Sequence, residues 1–453
     1  MIRIGSAQGF WGDWPQAPGL QLRGGPLDFL IFDYLAEVTM SILEKQRRRD
    51  PALGYATDFV ATMRELLPEL LDRKVRVVSS AGGVNPRACA EAVLAAAREV
   101  APGRPLKVAV VRGDSILDRI GDFKLKALDP SAPRLDEVRD RLLSANVYFG
   151  AEPVAEALRM GADIVITGRV TDTALVLGPL LASFDVSRDD HDALALGVVA
   201  GHILECGAQS SGGNFLGRFL EVEEMVKIGF PIAEFADPHT LAITKHPGLG
   251  GCVTRQTVSE QLLYEIGDPK EYLTPDVSVD FTSIRLEETG PDRVRVHGVQ
   301  GGPPPPMLKV SCAYADGYAL SGTLVYTWPE AVKKARTAGE LIRRRGETLG
   351  LRFDDFRVET IGFYACHEGM VGPPAESSEV MLRVAVRSQS REDLDRLGRE
   401  LVPLVLTGPP GATGFAGGRP RAHEVLAYWP GLIARDAVAP VVELLTSDTK
   451  SEA

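Results

Sequence analysis

The sequence predicts an α/β fold: a mostly parallel sheet covered by helices, followed by a smaller α+β region with antiparallel strands. Three observations carry this. Up to about residue 225 the chain repeats a short apolar run, a glycine-bearing polar loop and a helix-like stretch, the pattern of strands joined by crossover helices. Beyond 225, prolines and glycines become frequent and the apolar runs are spaced as in an antiparallel sheet. From 331, a basic helical stretch precedes two further strands and a helix. The expected segments are an α/β domain over 1–225, a β-rich region over 226–330 and a small α+β region over 331–453.

Composition narrows the function classes. Apolar residues make up 45% and charged residues 25%, the mix of a soluble globular chain. No apolar run reaches the ~18 residues of a membrane span, and the N-terminus lacks the apolar run of a secretion signal. A net charge of −11 argues against nucleic-acid and anionic-membrane partners. Five cysteines lie far apart without a CxxC pair, which fits a reduced, cytoplasmic protein. Seven scattered histidines without HExxH give no metal site, and no cofactor motif is evident.

The elements follow in order. Residues 2–5 form a strand entering the loop 6–13, Ser-Ala-Gln-Gly-Phe-Trp-Gly-Asp, which contains Gln8. Apolar residues at helical spacing predict a helix over 27–49, ending in a basic run that suits a helix C-terminus. A second helix covers 57–72. The strand 75–80 runs into Ala81-Gly82-Gly83-Val84-Asn85-Pro86, where Asn85 caps the next helix and Pro86 takes its first position. The Gly82 and Gly83 amides at that helix start could also receive an anion. Strands follow at 106–111, near 147–151 and at 163–167; the last enters Gly168-Arg169-Val170-Thr171-Asp172-Thr173. A helix over 192–204 delivers Glu205-Cys206-Gly207-Ala208-Gln209-Ser210-Ser211-Gly212-Gly213-Asn214-Phe215, too polar and too rich in glycine to be core. Later come a helix near 253–266, strands at 275–284, 293–299 and 308–315, and a stiff tetraproline connector at 303–306. The glycine-rich stretch 407–419 reads as a lid or binding loop.

These stretches together resemble the AtuA family, named for acyclic terpene utilisation. The likeness rests on IGSAQGFWGD at 4–13, SSAGGVNP at 79–86, ADIVITGRVTDTAL at 162–175, ECGAQSSGGNF at 205–215, KHPGLGGCVTRQTVSEQLLYEIGDP at 245–269 and GGPPPPMLKVS at 301–311. It implies a role in acyclic terpene breakdown through acyl-CoA intermediates. It carries over no catalytic residues.

The candidate site therefore rests on residue chemistry. Loops 6–13, 81–86, 168–173 and 205–214 are expected to meet at one sheet edge. Arg169 offers a planar fork for a carboxylate or phosphate, and Asp172 could orient it or act as a base. Glu205 is the leading acid–base candidate, with His246 second. Gln8, Gly82, Gly83, Asn85, Gln209, Asn214 and Lys245 are the remaining binding candidates. Cys206 reads as a packed thiol. The expected function is a cytoplasmic, homo-oligomeric catabolic enzyme for a small carboxylate or acyl-CoA intermediate of acyclic terpene or branched-chain acid breakdown. Its chemistry would be of hydratase, isomerase or lyase type, with a CoA thioester entering only as substrate. The alternative is a non-catalytic binding or assembly subunit serving a neighbouring pathway enzyme.

Overall fold

The computed structural model describes residues 1–217, 220–367, 370, 372, 376–414 and 418–447, apart from the Glu37 side chain. Phe415, Ala416 and Gly417 of the glycine-rich stretch lie outside them. The chain divides into two compact units, Met1–Ala313 with Tyr428–Ala453, and Tyr314–Ala427.

In the first unit, strands Ile2–Gln8, Phe29–Phe32, Arg76–Ser79, Ile164–Thr167 and Lys107–Arg112 lie side by side in that order, all parallel. Strands Ile232–Asp237, Thr240–Thr244, Arg293–His297 and Arg285–Gly290 extend the sheet antiparallel beyond Ile2–Gln8. Val441–Thr446 pairs antiparallel with Lys107–Arg112 at the other edge. The mostly parallel sheet expected from sequence is thus corrected. Four of the nine neighbouring pairs in this ten-stranded sheet are parallel and five antiparallel. The reason is connection length: Ile232–Asp237 and Thr240–Thr244 are joined by two residues, which permits only a hairpin. Of the β-rich stretch beyond 225, the four strands that extend past Ile2–Gln8 join the first sheet, while Tyr272–Leu273, Ser278–Asp280 and Gln300–Gly302 form a small sheet of their own.

A second correction concerns 27–49. Phe29–Phe32 is a strand, and the helix begins only at Glu37. All four strand residues are buried because both sheet faces are covered. A short run of four apolar residues satisfies helical spacing as well as a two-sided buried strand, so spacing cannot decide between them. Phe32 stacks with Tyr34 and meets Phe59 edge-on, with centroids 5.4 Å apart, in the core that helices Thr57–Arg73 and Pro86–Val100 build over the sheet. Each such buried side chain contributes about 1.5–3 kcal/mol.

Asn85 caps Pro86–Val100: its Oδ1 accepts from Ala88 N at 3.4 Å, while its Nδ2 donates to the carbonyls of Pro51 and Leu53. Glycine is required at 82, where a Cβ would come within 2.5 Å of the Thr167 carbonyl. Among the described residues, no helix is long and apolar enough to cross a membrane.

In the second unit, strands Asp355–Ile361 and Glu379–Ser388 pair antiparallel with each other, and Glu379–Ser388 pairs with residues 318–327. Val380, Leu382, Val384 and Val386 alternate inward, the period of a one-sided sheet. Helices Ala331–Thr348 and Arg391–Leu401 cover that face through Ala335, Ala338, Ile342, Leu394 and Leu397.

Candidate functional site

The parallel strands direct their carboxyl ends to one edge of the sheet, where ligands of α/β proteins bind. Three of the expected loops contribute there: 6–13, 168–173 and the stretch beginning at Glu205. The fourth contribution comes from Asp33–Ala36, directly after Phe29–Phe32, and not from 81–86. A cavity of about 430 Å³ is lined by residues from all four, including Gly9, Asp33, Arg169, Asp172, Glu205 and Gln209. A second cavity, of about 680 Å³, shares Arg169, Asp172, Glu205 and Glu265 with it and adds Tyr148, His202, Tyr272 and Lys309.

Arg169 is the pivot of the charge arrangement. It is only 2% exposed. Its backbone N donates to Asp114 Oδ2 at 3.0 Å, and Asp114 also accepts from Asn146 Nδ2 at 2.7 Å. A Cβ on Gly168 would run into the same Asp114 carboxylate, so glycine is needed beside the arginine. The guanidinium donates to the Leu35 carbonyl at 2.6 Å, lies 3.2 Å from Asp172 Oδ1 and sits 4.2 Å from the Tyr148 ring centroid. Lys309 Nζ is 4.7 Å from that centroid, which gives Tyr148 two cationic neighbours.

Asp33 is buried beside this arginine. Its Oδ1 accepts from Ser80 Oγ at 3.0 Å and from Leu35 N at 3.2 Å. Burial pushes its carboxyl up to about 6, with Glu205 adding to the rise and Arg169 opposing it. The folded state therefore holds the Asp33 proton more tightly than the unfolded chain. This contribution to stability is fully present below the ordinary pKa of 3.8 and is lost as pH rises through about 6, ~3 kcal/mol in all. Asp33→Asn removes this component. Urea unfolding of the two proteins at pH 4 and pH 7 checks it; an unchanged pH dependence in the variant contradicts it.

His202 was not singled out as a site residue by sequence. It occupies the last turn of helix His191–Leu204, and its ring is 1% exposed. Nδ1 lies 3.0 Å from Glu205 Oε1, the i,i+3 neighbour just past the helix end. The Tyr272 and Phe281 rings stand edge-on to it with centroids at 5.4 Å. Neither ring nitrogen makes a well-aligned hydrogen bond to the described residues, so the Nδ1–Glu205 approach is a close ion-pair contact. Burial pulls the imidazole pKa down, but the Glu205 charge and contact outweigh it and the net direction is up. Gln209 Nε2 donates to Gln261 Oε1 at 2.9 Å, and Gln261 Nε2 donates to the His202 carbonyl at 2.8 Å, which ties the 205–214 stretch to this helix. Burial, then Glu205, pushes the Cys206 thiol up to about 12, so it is uncharged at neutral pH.

The structure thus brings Arg169, Asp172, Glu205 and Gln209 together. Asn214, with φ of 55°, lines a neighbouring trough instead. Gln8, Gly82, Gly83, Asn85, Lys245 and His246 line neither of the two charged cavities. Gln8 Nε2 donates to the Trp14 carbonyl and braces the first loop. Gly83 N donates to the Ser80 carbonyl within its own turn. Lys245 Nζ donates to the Leu249 carbonyl at 2.8 Å and lies 3.2 Å from Asp292 Oδ2. His246 packs on Gly24 and Gly25, with Nε2 2.9 Å from the Gln21 carbonyl. Burial, with Arg3 next, lowers its pKa and favours the neutral ring.

A mixed sheet flanked by helices, with a charged, partly enclosed cavity beside the carboxyl ends of its parallel strands, makes the molecule a mixed α/β protein. Within that class the chain belongs to the family described as acyclic terpene utilisation family protein AtuA, matched over residues 2–444. No curated protein and no solved structure matches it.

Proposed function

We propose that the protein is a cytoplasmic enzyme of hydratase, isomerase or lyase type, acting on a carboxylate or acyl-CoA intermediate of acyclic terpene or branched-chain acid breakdown. The family supports the pathway. The observation that carries the chemistry is the His202–Glu205 pair, 3.0 Å apart at the wall of a cavity that also holds Arg169 and Lys309.

In this reading Glu205, 3.0 Å from Nδ1, favours the tautomer of the neutral ring with its proton on that nitrogen, leaving the lone pair on Nε2. Nε2 takes a proton from the carbon next to the substrate carbonyl, and the C–H electron pair moves into an enolate. Glu205 stabilises the imidazolium that forms, and the same nitrogen returns a proton in the reverse direction. Lys309 and the edge of the Arg169 guanidinium supply positive charge for the substrate anion. Asp33, with its carboxyl near 6, can exchange a proton close to neutral pH.

Glu205→Gln separates this reading from a non-catalytic binding subunit. An enzyme loses about 10²-fold or more in turnover of a branched acyl-CoA while its affinity stays close to wild type. A binding subunit shows no turnover in either protein, and that result removes the proposal.

A further inference from the structure

Beside the charged cavities lies an open trough of about 620 Å³, walled by Phe10, Trp14, Met225, Val226, Ile228 and Phe230. It adjoins the smaller charged cavity, because Phe10, Cys206 and Gln209 line both, and that cavity in turn shares Arg169, Asp172 and Glu205 with the one that holds His202. Its polar wall groups are largely spent on the protein. Asp13, the charged residue among those lining it, accepts from Gly9 N at 2.8 Å and from Trp14 N at 2.6 Å. Gln209 is bonded to Gln261. The side chains of Phe10, Met225 and Val226 remain 58%, 47% and 64% exposed, an apolar surface meeting water at the rim of a charged centre. A charged centre that opens into an apolar arm fits one amphipathic molecule better than two separate ligands.

We propose that this trough is the hydrocarbon-chain subsite, and that Met225 and Val226 set the length of chain it accepts. The proposal rests on the acid–base reading above for the position of the polar head. The aliphatic chain leaves the head group past Phe10 and Cys206 and lies against Trp14 and Phe230. Loop 9–14 is held in place for this by its bonds to Asp13 and by Gln8 donating to the Trp14 carbonyl at 2.9 Å.

The test uses the full-length protein and two ligand series, saturated carboxylates and the matching primary alcohols, of increasing chain length. Affinity is read by calorimetry for wild type, Met225→Trp and Val226→Trp. Both substituted positions are partly exposed, and unfolding temperatures check that the folds are intact. In the wild type, affinity rises about two- to fourfold per added methylene until the trough is full. In the variants the rise stops earlier, while the shortest carboxylates bind as before. If both tryptophan variants keep the wild-type dependence on length, the subsite is overturned and the acid–base reading stands. If long alcohols bind and lose affinity in the variants while carboxylates are not preferred at any length, the subsite stands and the anion-binding part of the reading falls. If neither series binds wild type at any length, the subsite is overturned.

Discussion

His202→Gln lowers solvent-hydrogen exchange at the acyl α-carbon by about 10²–10⁴-fold and leaves thioester affinity within about threefold of wild type. The argument is geometric. Nδ1 lies 3.0 Å from Glu205 Oε1, and neither ring nitrogen is tied up in a well-aligned hydrogen bond to the described residues. Glutamine has roughly the size of the imidazole and keeps a polar end, so the packing against Tyr272 and Phe281 is largely preserved, but it cannot hold or move a proton at neutral pH. The loss therefore falls on the chemical step and not on binding. Solvent-deuterium incorporation, followed by mass spectrometry beside a binding isotherm, reads the two separately. Equal losses in affinity and exchange would assign His202 to packing alone.

Arg169→Met destabilises the fold by about 3–5 kcal/mol. The guanidinium is 2% exposed and lies among carboxylates, with Asp172 at 3.2 Å and the charges of Asp33 and Asp114 close enough to be held down by it. Methionine fills much of the volume, so the cost is the loss of positive charge from a buried acidic cluster and of the stacking on Tyr148. Asp33 then rises further above 6, since Arg169 is the opposing charge. Arg169→Lys recovers only part of the loss, because an ammonium keeps the positive charge but cannot stack a planar guanidinium on the Tyr148 ring. Urea unfolding at neutral pH measures this. A loss under ~1 kcal/mol would show that the cluster is solvated and that Arg169 is no pivot.

Much of this site could be read in the sequence, and its gaps have identifiable causes. Arg169 and Asp172 follow three apolar residues and a threonine, and a buried strand that runs into Gly-Arg announces a loop at a sheet edge. The 205–214 stretch was conspicuous because Glu, Gln, Ser and Asn crowd around glycines directly after an apolar helix. Asp33 was hidden by the helix/strand ambiguity of Phe29–Phe32: once that segment is a strand, Asp33 stands at its carboxyl end like the others. His202 was hidden by its surroundings. A histidine in the last turn of a helix with every residue from Ala193 to Leu204 buried looks like packing, although the i,i+3 spacing to Glu205 was there to be seen. The antiparallel flank was least legible, since nothing local in 232–244 or 441–446 states which edge strand it joins.

The central claim is that the carboxyl edge of the sheet carries out proton transfer next to a carbonyl. It is tested most directly by incubating the wild-type protein in deuterium oxide with a panel of branched and straight acyl-CoA thioesters. The account predicts deuterium at the α-carbon of at least one branched member, lost in His202→Gln. A panel in which no thioester gains deuterium, although at least one binds, would contradict it.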